Sequence, residues 1–190
     1  LSEAIHEANL AVRLRPYDPI ANMALIRTLF ADSQLADEAL SDSIAAAAVR
    51  TDYNIYLLND VGAHLAAAGN LDRAGEILEW AIASRPPPVE TDDFAFERKF
   101  VNSKANWKKE KAEAFYQLGY INGLQGTFDR SIEFSHKAIE LDSSLANAYV
   151  NLANGYLATG QIAQARRIAA IAVEKFPDDG YVRQLQLRLR

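Results

Sequence analysis

Residues 112–145 read AEAFYQLGYINGLQGTFDRSIEFSHKAIELDSSL, and the 34 residues that follow repeat the pattern without a gap. Moving the chain by 34 positions sets Phe115 on Tyr149, Leu118 on Leu152, Gly119 on Ala153 and Gly126 on Gly160. It also sets Phe128 on Ile162, Ser131 on Ala165 and Ala138 on Ala172. Apolar residues meet apolar ones, and small residues meet small ones. A fixed period of this length marks stacked supersecondary units, none of which can bury its own apolar face alone.

Each recurring residue has a physical task. Phe115, Leu118 and Ile121 recur at three-residue steps, which holds them near one face of a helix. Gly119 and Ala153 are small where two helices must cross closely. Gly126 and Gly160 end the first helix of each pair, where positive φ is favoured. Ser131, Ser135 and Ala138, like Ala165, Ala169 and Ala172, give the second helix a slim seam, and Pro177 stops it. An aromatic residue, Leu-Gly, then Ala, an aromatic and Pro together resemble the tetratricopeptide repeat. Asn122 and Ser143 depart from that pattern, which has an aromatic and Pro at their places. The resemblance implies an all-α fold, a right-handed superhelix of antiparallel helix hairpins (an α-solenoid) with a concave groove lined by first helices.

The same rhythm orders the rest of the chain. Residues 1–16 fit a second helix with Ala4, Ala8 and Ala11 in its seam. Residues 20–54 form a degenerate repeat whose seam is read at Ala39, Ser43 and Ala46, with one residue inserted around Tyr17-Asp18-Pro19 and a turn at Asp32-Ser33-Gln34. Residues 55–88 are a fuller repeat with Leu58, Val61, Gly62 and Leu65, a turn at Gly69-Asn70 and Pro86 at its close. Pro86-Pro87-Pro88 then breaks the rhythm ahead of an insert at 89–111. Thr91 or Asp92 can cap a short extra helix there, carrying Phe94, Phe96, Phe100 and Val101; the alternative is an N-terminal extension of the helix that holds Phe115. Repeats follow at 112–145 and 146–179, and Asp178 or Asp179 starts a last helix at 180–190 with an apolar stripe of Val182, Leu185 and Leu189. That helix reads as a cap on one array spanning 1–190, or as the first helix of a further repeat. The chain opens on Leu1 without an initiating Met, and reads as a piece of something longer.

Composition narrows the function. The chain has 190 residues, 20 basic and 25 acidic, for a net charge of −5, which argues against a general binder of phosphate backbones and so against nucleic acid. There is no cysteine, so there are no disulfides, thiolate metal sites or cysteine nucleophile. No apolar run reaches the length of a membrane span. A cytoplasmic or a periplasmic address both fit. His6, His64 and His136 fall on different helices with no metal-ligand spacing, and Gly119, Gly123 and Gly126 lack the ending of a phosphate loop. The expectation is a protein with no enzyme activity, no catalytic residues, no metal and no cofactor.

A binding surface for a protein or peptide remains, with the resemblance placing it in the groove. Asn147, Asn151 and Asn154 are spaced by four and three, which puts them on one helix face, where carboxamides can bond a peptide backbone. Tyr116 and Tyr120 offer apolar area with a polar tip. Glu113 and Gln117 share their helix. Asn59, with Tyr56 and Ala63, is read onto the groove in the earlier repeat. Some relatives grip a C-terminal carboxylate through Lys and Asn residues, but Ala24, Asn59 and Tyr116 stand where the Lys is expected. The alternatives are a structural part that self-associates, or a regulatory appendage of a larger bacterial signalling protein.

Overall fold

The computed structural model describes residues 2–32, 37–52, 54–85 and 104–189, and among these every regular element is a helix. Two compact units divide the chain, Leu1–Arg85 and Pro86–Arg190.

The first unit holds α1 (Ser2–Leu14), α2 (Pro19–Phe30), α3 (Asp37–Arg50), α4 (Ile55–Ala67) and α5 (Leu71–Ala83). Side chains set the helix starts. Asp18 accepts from the backbone of Ile20 and Ala21 with Pro19 just behind it, Asn54 accepts from Tyr56 and Leu57, and Asn70 accepts from Arg73. Each bond satisfies an amide that the helix cannot satisfy itself. Gly69 turns the chain between α4 and α5 at φ +84°, a conformation that only glycine adopts freely. Because α4 packs on α2, α3 and α5 together, it is apolar on several sides, with Leu57, Leu58, Val61 and Leu65 buried. A Cβ on Gly62 would stand 2.6 Å from Leu78 Cγ of α5, so the glycine is what admits that side chain.

Burial corrects the register of α3. Ala39 and Ala46 are exposed and Ser43 is only half-buried, while Ile44, Ala47 and Ala48 are buried. Ile44 and Ala47 lie 34 positions before Leu78 and Ala81, both buried, so the second helices keep the 34-residue period. In the first helices, Asn22 and Leu25 lie 36 before Leu58 and Val61. The extra length therefore falls as two residues between Leu29 and Leu40, and not at Tyr17-Asp18-Pro19. Most of that turn, from Ser33 on, lies outside the described residues.

The second unit holds α6 (Lys104–Leu124), α7 (Phe128–Leu141), α8 (Ala146–Ala158), α9 (Ile162–Lys175) and α10 (Gly180–Arg188). Residues 104–111 run without a break into the helix that carries Phe115. The short helix expected around Phe94, Phe96, Phe100 and Val101 lies outside the described residues. Gly126 and Gly160 make the two tight turns at φ +76° and +75°. In the α6–α7 crossing, Ser131, Ser135 and Ala138 are all buried, and Ser131 Oγ donates to the Gly119 carbonyl at 2.7 Å.

Both departures from the repeat pattern have a local account. Asn122 is buried, donates to the Leu118 carbonyl at 2.8 Å and accepts from Thr127 Oγ1 at 2.8 Å, so it ties the turn where an aromatic would fill space. Where Pro is usual, Asp142 accepts from the Ser144 amide at 2.9 Å and from its hydroxyl, which closes α7 by hydrogen bonding instead. On α8, Gly155 lets Ile132 of α7 approach, since a Cβ there would meet Ile132 Cγ1 at 2.7 Å. Asp179 caps α10 by accepting from Val182 N at 3.0 Å, and Val182 and Leu185 join the buried cluster around Leu152 and Ile168.

Candidate functional site

In the second unit α8 packs on both α6 and α10, so first helices lie side by side as the repeat period requires. The 34-residue shift then aligns Glu113, Asn147 and Tyr181 in one row, and Tyr120, Asn154 and Arg188 in another. The five residues predicted here do gather. Asn151 Nδ2 reaches the Tyr116 carbonyl at 3.5 Å, and Asn147 hydrogen-bonds the Tyr116 side chain. Arg188 Nη1 donates to Asn154 Oδ1 at 3.1 Å. Tyr120 stands 47% exposed.

These contacts divide the residues by task. Tyr116 is half-buried and bonded twice across to α8, so it holds the two helices in register as much as it offers a surface. Burial, with the Glu113 carboxylate and Tyr120 nearby, pushes its phenol above the ordinary range. Tyr120, Asn151 and Asn154 instead line an open cleft of about 200 Å³. Leu124 and Phe128 share its walls, and Gly119, Gly123 and Gly155 contribute only backbone there.

Asn59 does not belong to such a surface. It is 4% exposed, because α4 is enclosed by three neighbouring helices. Next to it on α4, Asp60 is half-buried. It accepts from Arg27 Nε of α2 at 2.8 Å and from Arg27 Nη2 as well, a paired grip of the kind favoured between guanidinium and carboxylate. His64 stacks on Phe30 beside it, with ring centroids 5.4 Å apart. A search for opposite charges about one repeat apart on first helices would have found Arg27 and Asp60. Carboxamides and tyrosines on first helices do not report this pair.

Glu113 shares the α6 face. Its carboxyl is pushed above the ordinary range by burial first, opposed by a hydrogen bond from Gln117 and reinforced by Glu110 and Asp142. The folded chain then binds the proton more tightly than the unfolded chain. Its stability is greatest below the ordinary carboxylate range and falls as pH rises from there to the folded pKa. Glu113→Gln should raise the melting temperature at neutral pH and leave it unchanged near pH 3, below the ordinary carboxylate pKa of about 4. Calorimetry at the two pH values checks this; an equal shift at both would show that charge is not the cause.

Among the described residues, no group of three metal-ligand side chains comes together and no helix is long and apolar enough to cross a membrane.

Comparison with known proteins agrees with the repeat period. A family model described as tetratricopeptide repeat matches residues 124–189. Two crystal structures of MamA resemble the chain. One is 20% identical, over 92% of this chain and 81% of that one, with a TM-score of 0.62. The other is 19% identical, over 90% and 85%, with a TM-score of 0.63. A structure from a functional characterisation of Pseudomonas aeruginosa PilF is 15% identical, over 96% of this chain and 72% of that one, with a TM-score of 0.65. No curated protein sequence matches. The class is therefore an all-α helical repeat fold. The family it resembles is the tetratricopeptide repeat, as the period at Ala112–Leu145 implied.

Proposed function

We propose that this chain is a non-enzymatic protein-interaction scaffold, and that α6, α8 and α10 seat an extended peptide of a protein partner. One observation carries the reading: two neighbouring first helices, α6 and α8, bring Tyr120, Asn151 and Asn154 to one open cleft. Asn151 and Asn154 line that cleft, and each uses one end of its carboxamide for a bond to the protein. A carboxamide holds both a donor and an acceptor, which is what a peptide backbone presents at each residue. Tyr120 supplies rigid amphipathic area at little entropic cost.

A library of random peptides displayed on phage, panned on the whole chain, tests this without a known partner. The enriched pool should bind Tyr120→Ala or Asn151→Ala roughly tenfold more weakly than the parent, or about 1.4 kcal/mol. Melting temperatures should hardly move, as for most surface changes. A pool that binds both variants as tightly as the parent, or no enrichment at all, rejects the groove.

A further inference from the structure

We infer that the cleft beside Asn154 is an anchor pocket for one bulky apolar side chain of the bound peptide, with an acidic residue next to it in the peptide meeting Arg188. This rests on the groove reading above and specifies what the groove selects.

The sequence explains why the space exists. Gly123 stands where the next repeat carries Leu157, and Gly119 where it carries Ala153. A Cβ at Gly119 or Gly155 would point into α7, toward Ser135 and Ile132, so those glycines serve helix packing. Gly123 differs. A Cβ there meets only Ser131 Oγ, at 3.3 Å, and Ser131 itself lines the cleft. The missing side chain at 123 therefore leaves room in the cleft that Leu124 and Phe128 also line. Leu124 is 56% exposed at its edge, and no side chain of the described residues fills the space.

The charge at the rim sets the neighbour. Arg188 is exposed and bonds the neutral Asn154 carboxamide. No carboxylate among the described residues lies within ion-pair distance of it. A carboxylate on a bound peptide would complete the guanidinium's fork, which matches two oxygens at once. Apolar side chains inserted into pockets, with a charged contact at the rim, are how a few residues come to dominate a small interface. A peptide with a large apolar residue flanked by Asp or Glu is the occupant that fits both features.

Sequencing the peptides enriched by the panning described above tests the inference, together with three variants. The pool should carry a Phe, Leu, Ile, Met or Trp next to Asp or Glu. Gly123→Leu should fill the pocket and lower affinity roughly tenfold or more, and Leu124→Ala, which leaves the fold alone, about three- to tenfold. Arg188→Gln should relax the preference for the acid and weaken the salt dependence of binding. Thermal melts of each variant separate lost binding from lost folding, and Leu124→Ala keeps the test decisive if Gly123→Leu fails to fold. A pool that needs Asn151 and Tyr120 yet lacks the apolar anchor, or binds Leu124→Ala at full strength, overturns the pocket and leaves the groove. A pool indifferent to every variant overturns both.

Discussion

Gly119→Leu is expected to cost about 3 kcal/mol or more, the upper end of what overpacking does to a filled core. An added Cβ would lie 2.7 Å from Ser135 Oγ and 3.3 Å from both the Ser131 carbonyl and the Ser135 amide nitrogen. Two of those three atoms belong to the α7 backbone, which cannot swing aside as a side-chain tip can. The helices must separate, and Ser131 then loses its bond to Gly119. Thermal or urea unfolding measures the loss directly. Gly75→Ala is the contrasting change, since no atom lies within 4 Å of its added Cβ; it should stabilise by roughly 0.5–1 kcal/mol through helix propensity alone. If Gly119→Leu melts with the parent, α6 and α7 do not cross there.

A coupling test sharpens the same point. Ser135 Oγ is buried without a hydrogen-bond partner, so Ser135→Ala removes an unsatisfied group and should be neutral or stabilising. It also removes the atom nearest the new Cβ of Gly119→Ala. The pair should therefore be more stable than the sum of the single changes, by roughly 0.5–3 kcal/mol, the range for residues in contact.

The crossing was legible because Gly119, Ser131 and Ser135 are each small at a fixed place in a 34-residue frame. So were Gly69, Gly126 and Gly160, which all take positive φ at the turns where the frame puts them. The register of α3 was not legible. Its run Ala45 to Val49 is small at nearly every position, so composition alone does not distinguish one face from another; Ile44, the large residue beside it, fixes which side is buried. Asn59 misled for a related reason. Helical spacing tells which residues share a face, while the number of neighbours around α4 decides whether that face is open.

The site was half legible. Asn151, Asn154 and Tyr120 follow from spacing on two helices, and they line one cleft. The cleft itself depends on a side chain that is absent at Gly123 and on Phe128 from another helix, which no local pattern reports. Arg188 was within reach of the sequence, since it lies one period after Asn154. It joins the row only when α10 is aligned as a further first helix, and the short apolar stripe of Val182, Leu185 and Leu189 fits a cap equally well.

Leu152→Ala should cost about 2–5 kcal/mol, the range for removing a buried leucine side chain. Leu152 is 1% exposed and belongs to one buried cluster with Tyr149, Ile168, Val182 and Leu185. Those residues come from α8, α9 and α10. In a stacked-repeat fold each hairpin lacks a complete core of its own, so the cavity would open where three helices share their burial and little can collapse to fill it. The transfer term alone is worth about 1.5–3 kcal/mol for a leucine, and unrelieved cavity surface adds to it. Leu187→Ala gives the comparison on α10, where the side chain is 65% exposed and the change should stay within about 0.5 kcal/mol. Equal effects from the two leucines would mean that α10 presents a different face to α8, and the alignment of Arg188 with Asn154, on which the acidic preference of the groove depends, would fail with it.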